Sequence, residues 1–429
     1  MATGFELTQG TWQERLDYVV TMMREMSQER DPQKMVQAYV ARVRRLLPGD
    51  RWMAISRREL EPAQYRITRS SIWNVQVNPW KEQHKLPVYD RGLLGELLYA
   101  GLPRIINGLD IADDDPAAEH LEGMESLLAI PHFEGGRVLN MVVTGSRQPD
   151  AFDPERLPEM FWLSNLFGRA TQNLVLSEQV QAAYAAVDQE LQIVADIQRS
   201  LLPRKLPQVP TLDLAVHYQT SRRAGGDYYD FFNVPGGKLG ILLADASGHG
   251  TPATVMMAIT HSIAHAYPGP PCPPGEMLSH LNEQLTKRYT SDNDSFVTAF
   301  YGIYDPATHH LNFAIAGHNP PRWRHRDGTI DPLGDAAGLP LGVYAGEQYP
   351  GSECTLAAGD TLLFYTDGIT EASGKSCEQF GVEGLDEVLC RNYSSADELL
   401  AALQHSLEIF TNGQPPDDDR TVVAAHVKA

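Results

Sequence analysis

The sequence predicts an α+β protein in three parts, and three hydrophobic patterns predict it. Residues 1–165 alternate helix-period and strand-like stretches, residues 166–204 hold one uninterrupted helical repeat, and residues 205–429 are short apolar runs with few helices between them. The chain has 429 residues, 42% of them hydrophobic, enough for two or three buried cores at roughly 150 residues per domain. Its formal net charge of −20 repels nucleic-acid backbones and anionic lipid, so no nucleic acid and no membrane is expected as a partner. No run of about 18 apolar residues is available to span a bilayer, and Met1–Glu6 has no secretory pattern. Cys272, Cys354, Cys377 and Cys390 are widely spaced and form no Cys-x-x-Cys pair, as expected of reduced thiols in a cytoplasmic protein.

In the first part, Leu16, Val19, Val20 and Met23, then Met35, Val36, Tyr39, Val40, Val43 and Leu47, recur at helical spacing, with Asp31-Pro32 as a stop and restart. The longest Lys/Arg cluster, Arg42, Arg44 and Arg45, is small and lies in this helical stretch. Trp52–Ser56, Tyr65–Thr68 and Val138–Thr144 read as strands, and Arg91–Tyr99 as a short helix ending near Gly101. The Gly92-Leu-Leu-Gly-Glu-Leu-Leu helix, the Pro103-Arg-Ile-Ile strand and the Ser126-Leu-Leu-Ala-Ile-Pro…Val138-Leu-Asn-Met-Val-Val hairpin resemble a GAF domain. That resemblance implies a sensor module for a small-molecule or protein cue. Trp12, Trp52, Trp73, Trp80 and Trp162 fall in this half, either lining a ligand pocket or serving as ordinary core and interface aromatics. With no cysteine here, a thioether-linked bilin is excluded.

In residues 166–204, Leu166, Ala170, Asn173, Ser177, Val180, Tyr184, Val187, Leu191, Val194, Gln198 and Leu201 step by four and three alternately. That is a heptad seam, and a helix of about 54 Å at 1.5 Å per residue would leave it wet unless paired. A coiled-coil linker and a homodimer are expected; the alternative is a helix packed on its own domain. Pro203 and Pro207 end it.

From Thr211 onward, Leu212–Tyr218, Leu239–Ala244, Phe296–Tyr304, Leu311–Ala316, Thr361–Tyr365 and Val422–Val427 read as strands. Thr251–Ala266, Met277–Tyr289 and Ala396–Phe410 read as helices, which suits two packed sheets flanked by helices. Asp245 stands at the lip of a strand before a Ser-Gly-His-Gly turn, with Pro252 suited to a helix's first turn.

Carboxylates beside small residues recur at such strand ends: Asp227, Asp245, Asp367 and the run Asp417, Asp418, Asp419. Four aspartates converged at about 5 Å would repel by on the order of 3 kcal/mol per pair at an effective dielectric near 20, which demands cations. Scattered singly, each is a solvated turn. Oxygen donors without Cys or His suit Mn2+ or Mg2+, and two such ions are the arrangement used to hydrolyse phosphate esters. There is no Walker-type Gly-x-x-x-x-Gly-Lys-Ser/Thr loop and no Gly-x-Ser-x-Gly elbow. His261 and His265 lack the Glu of a zinc-protease motif and read as packing or surface residues.

Six segments carry a second resemblance: Ile197-Gln-Arg-Ser-Leu-Leu-Pro, Arg222-Arg-Ala-Gly-Gly-Asp-Tyr-Tyr-Asp-Phe-Phe, Ala244-Asp-Ala-Ser-Gly-His-Gly-Thr-Pro-Ala, Ala316-Gly-His-Asn-Pro-Pro, Phe364-Tyr-Thr-Asp-Gly-Ile-Thr-Glu-Ala and Asp418-Asp-Arg-Thr. In this order they are similar to the metal-dependent PPM protein phosphatases of the SpoIIE/RsbU branch, over residues 197–429. The resemblance implies an αββα sandwich and two Mn2+ or Mg2+ ions held by Asp227, Asp245, Asp367 and Asp418, with the carbonyl of Ala246 standing where many relatives have Gly. Asp419 is the alternative to Asp418. Arg222 matches a phosphate-binding arginine or is a surface residue beside Arg223; His249 either protonates the leaving serine oxygen or caps a turn; His318 reads as structural. The implied substrate is a phosphorylated STAS-type anti-sigma-factor antagonist in a bacterial partner-switching pathway, with in-line attack and no phosphoenzyme. In this reading the sensor acts through the coiled linker, and the Thr251–Ala266 helix shifts Asp245. The rivals are a non-catalytic signalling scaffold that keeps the fold and a cyclic-nucleotide phosphodiesterase.

Overall fold

The structure is a computed structural model describing residues 11–43, 49–75, 77–269, 271–291, 295–334, 338–375 and 377–428. The amino-terminal hexapeptide, Arg44, Arg45 and Leu47 lie outside these residues. The chain divides into two compact units, residues 1–184 and 185–429.

The first unit opens with α1 (Trp12–Met26) and α2 (Pro32–Val43). Thr11 and Glu14 form a reciprocal capping box on α1. The Asp31 carboxylate accepts the N–H groups of Gln33 and Lys34, so Asp31-Pro32 restarts the helix as its chemistry requires. There follow β1 (Arg51–Ser56), β2 (Tyr65–Ser70), β3 (Val88–Tyr89), α3 (Leu93–Ala100), β4 (Arg104–Asn107), α4 (Ala118–Leu121), β5 (Ser126–Glu134) and β6 (Arg137–Ser146). The strands make one six-stranded antiparallel sheet ordered β3-β2-β1-β6-β5-β4. Leu94, Leu97 and Leu98 of α3 bury against Met53, Ile55, Tyr65 and Ile67. Trp52 and Trp80 line two cavities, of about 70 and 160 Å³, whereas Trp12 and Trp162 are exposed.

The long helix α5 (Leu157–Leu201) starts nine residues before the expected linker at 166. Its opening turns belong to the first unit's core, where Phe167 stacks on Tyr39 at 3.6 Å between ring centroids. Every residue from 176 to 190 is exposed, Val180, Tyr184 and Val187 of the seam included. Further on, Ala195 and Gln198 are buried in the second unit.

The second unit continues with β7 (Leu212–Gln219), β8 (Asp227–Val234), β9 (Lys238–Ala246), α6 (Thr251–His265), α7 (Pro274–Leu285), β10 (Val297–Asp305), β11 (His310–Ala316), β12 (Arg322–Arg324), β13 (Ile330–Pro332), β14 (Ser352–Thr355), β15 (Thr361–Tyr365), α8 (Asp367–Thr370), α9 (Gly381–Leu389), α10 (Ala396–Thr411) and β16 (Arg420–Val427). Two five-stranded sheets, β14-β11-β10-β9-β8 and β13-β12-β15-β16-β7, face each other, with Phe300 and Phe364 meeting across the core at 5.0 Å. Helices α6 and α7 cover the first sheet, and α10 covers the second with α9 beside it. This is the two-sheet sandwich flanked by helices that the strand pattern predicts. Pro252 sits in the first turn of α6 as expected.

Candidate metal centre

Antiparallel pairing decides which acids can meet. Asp227 opens β8 and Asp245 lies near the end of β9, and the two are direct cross-strand partners, so their side chains share one face. On the other sheet, β15 runs into Asp367 at the start of α8, and Asp418 and Asp419 immediately precede β16, the neighbour of β15. The Asp227 carboxylate is 1% exposed and bridges the sheets, accepting the hydroxyls of Thr366 at 2.8 Å and Thr421 at 2.5 Å.

Burial first, then the charges of Asp227, Asp367, Asp418 and Asp419, drive the Asp245 carboxyl far above the carboxylate range. Asp227 is likewise raised, chiefly by burial and then by Asp419 and Asp367, against the opposing hydroxyl bonds. Burial and the Asp418 charge hold Asp367 at about 6. Asp418 is raised by burial, with His249 among the groups opposing the rise. The sequence-predicted acids are therefore brought together as an electrostatic group that resists full ionisation without cations. Among the described residues, however, no three of these acids bring ligand atoms mutually within 4.8 Å.

Asp418 and Asp419, alternatives in the sequence, have different surroundings. Asp419 is buried and accepts the N–H groups of Ser221 at 2.8 Å and Gly226 at 2.6 Å and the Ser221 hydroxyl at 3.2 Å, anchoring the loop before β8. Asp418 is the more solvent-exposed of the two, though neighbouring atoms still desolvate its carboxyl, and it accepts the Asp419 N–H at 2.8 Å. Gly226 must be glycine, because a Cβ there would stand 2.7 Å from the carbonyl oxygen of Ala246, the expected backbone donor.

Arg222 and His249 are both exposed. The neighbouring Arg223 is the arginine that is engaged, through Asp188 and Gln192 of α5. His318 is buried, bonds through Nδ1 to the Thr298 hydroxyl at 2.9 Å and is pushed down to about 4 by burial, in keeping with a structural residue. Sequence reasoning missed the roles of Thr366, Thr421 and Gln198. The buried Gln198 amide donates to the carbonyl of Gly225 at 2.7 Å and accepts its N–H at 3.0 Å. Its polarity within the heptad seam is the signal that could have found it.

His261 and His265, read from the sequence as packing or surface residues, stand beside Asp230, which His265 Nε2 approaches to 2.7 Å. Together with Asp230 they are the trio, among the described residues, whose ligand atoms all lie within 4.8 Å of one another.

The family described as Stage II sporulation protein E (SpoIIE) matches residues 235–428. The chain is 30% identical over 241 residues to the phosphoserine phosphatase RsbU of Bacillus subtilis, covering 55% of this chain and 70% of that one. It is 24% identical over 243 residues to the phosphoserine phosphatase RsbP of the same organism, covering 56% and 58%. The solved SiaA-PP2C domain of Pseudomonas aeruginosa shares its fold, with a TM-score of 0.51 at 22% identity, over 58% of this chain and 99% of that domain. On the RsbU match and the family match together, the chain belongs to the SpoIIE family of phosphatases.

Proposed function

We propose that the chain is a sensor-regulated phosphatase, dependent on Mn2+ or Mg2+, that hydrolyses phosphoserine or phosphothreonine on a partner protein. The partner we assign is a STAS-type anti-sigma-factor antagonist of a partner-switching pathway in the cytoplasm. The observation that carries the reading is the meeting of carboxylates from four separate segments of both sheets, with Asp227 and Asp245 pushed out of the normal carboxylate range. RsbU and RsbP, phosphoserine phosphatases by name, support the reaction class.

The donor set fits two hard cations: Asp227, Asp245, Asp367, Asp418 and the Ala246 carbonyl are all oxygen ligands, and the raised acids gain most from cationic neighbours. When bound, the ions supply Lewis-acid activation of water and of the phosphoryl group. The remaining steps fall to the chain. Thr366 and Thr421 fix the Asp227 carboxylate, while Asp419 and Gln198 hold the Ser221–Gly226 loop. Arg222 has no ion pair among the described residues, which frees its guanidinium to take phosphate oxygens. His249, whose charge reaches Asp418, protonates the leaving serine oxygen.

The first unit is assigned as a GAF-like sensor, its two cavities the places for a cue. The open stripe of α5 is assigned to pairing with a second copy as a coiled coil. Movement of α6, which follows Asp245, then completes the centre. No helix among the described residues is long and apolar enough to cross a membrane.

The test is phosphate release by the full chain from a phosphorylated STAS protein and, separately, turnover of a cyclic dinucleotide, each with Mn2+ or with chelator. Phosphate release that needs Mn2+ and is abolished in Asp245→Ala is expected. Full activity of that variant ends the site assignment, turnover of the dinucleotide alone favours the phosphodiesterase, and no turnover of either favours the scaffold.

A further inference from the structure

On β8, alternation sends residues 227 and 230 to opposite faces of the sheet. Asp227 faces the second sheet, whereas Asp230 faces α6 beside Tyr228. His261 and His265, four residues apart on α6, share a helix face, with ring centroids 4.4 Å apart. We propose that Asp230, His261 and His265 form a second metal site, for one borderline divalent cation of the zinc class, distinct from the acidic centre.

The donors select the ion. Two imidazoles and a carboxylate suit Zn2+, Co2+ or Ni2+, whereas Mg2+ and Mn2+ prefer oxygen sets. The carboxylate is held as metal-bound carboxylates are: Asp230 is 5% exposed, its Oδ1 accepts the Phe231 N–H at 2.7 Å, and its Oδ2 accepts the Tyr228 hydroxyl at 2.5 Å. Access is open, because the His265 side chain is 47% exposed. His265 Nε2 now stands 2.7 Å from Asp230 Oδ2, joined by a proton. On binding, Nε2 gives up that proton, the cation takes its place and the ring keeps its one N–H on Nδ1, so the ligand is a neutral imidazole; acid, which protonates both nitrogens, competes with the cation and weakens binding. The separation then opens to about 3.3 Å, the edge of a tetrahedron with bonds near 2.0 Å, and the fourth position is left to water. Such an ion staples α6, which follows Asp245, to β8, which begins with Asp227.

The test uses the chelator-stripped full chain titrated with Co2+, read by the visible bands of tetrahedral cobalt, and then with Zn2+ in competition. One equivalent with those bands is expected, retained in Asp245→Asn and weakened at least about tenfold in His265→Gln and in His261→Gln. Circular dichroism and a thermal melt show that the variants are folded, and zinc raises the wild-type melting temperature but not theirs. Zinc affinity equal in wild type and in folded His261→Gln/His265→Gln overturns the proposal, as does loss of the bands in Asp245→Asn. The readout is metal uptake, so it stands or falls apart from phosphatase activity.

Discussion

Replacing Asp245 by Asn should abolish activity and yet stabilise the metal-free protein. In the folded chain without cations, burial and neighbouring carboxylates keep the Asp245 carboxyl above neutrality, against 3.8 for an ordinary Asp. An acid raised on folding contributes stability that is complete below its unfolded pKa and is lost as pH climbs toward its folded one. At pH 7 the folded state must take up a proton that the unfolded chain has released. At 1.36 kcal/mol per pH unit this costs on the order of 4 kcal/mol, falling below about 2 kcal/mol at pH 5. Asn is near-isosteric and carries no charge, so the variant escapes that cost. The assay is urea unfolding in EDTA at pH 5, 7 and 8. The variant should be more stable at pH 7 by about 4 kcal/mol, equivalent to about 8–16 °C in the melting temperature of a unit of this size, with a gap that narrows at pH 5. Adding Mn2+ should raise the melting temperature of the wild type far more than that of the variant. A variant no more stable than wild type in EDTA, or a gap unchanged between pH 5 and 8, refutes the electrostatic account.

Two further outcomes follow from the same geometry. His318, pushed down to about 4 by burial, gives stability that is present above its ordinary 6.5 and is lost as pH falls toward 4, about 3 kcal/mol over that window; in His318→Asn the slope of unfolding free energy against pH there should drop by about one proton. Gln198→Ala strands the buried N–H and C=O of Gly225, so urea unfolding should show a loss of about 1–3 kcal/mol, and calorimetry a weakened Mn2+ affinity; unchanged values in both contradict the role assigned to Gln198.

The main acids were legible because each sits beside small residues at the end of an apolar run, and strand ends are where a rigid backbone can present a carboxylate. Choosing Asp418 over Asp419 was not legible. Both are acids in one run, and what separates them is the fold of Ser221–Gly226, nearly two hundred residues away, onto Asp419. His261 and His265 showed their helical spacing, but Asp230 comes from a strand some thirty residues earlier, and no linear pattern announces that pairing. The helix boundary at Leu157 was missed because Met160 and Phe167 point into the first unit's core and carry no heptad signature. β12, β13 and β14 escaped notice because runs of three or four residues are too short to show alternation.

A single side-chain amide that grips both polar groups of one glycine works as a keyed joint. Turning the end of α5 by one residue's worth of twist, about 100°, would swing the Gln198 amide off both contacts at once. The peptide next to Gly226, and through it the start of β8, is thereby indexed to the placement of that helix end, in rotation and along its axis alike. A twist or an axial slip of that helix end therefore breaks both contacts together.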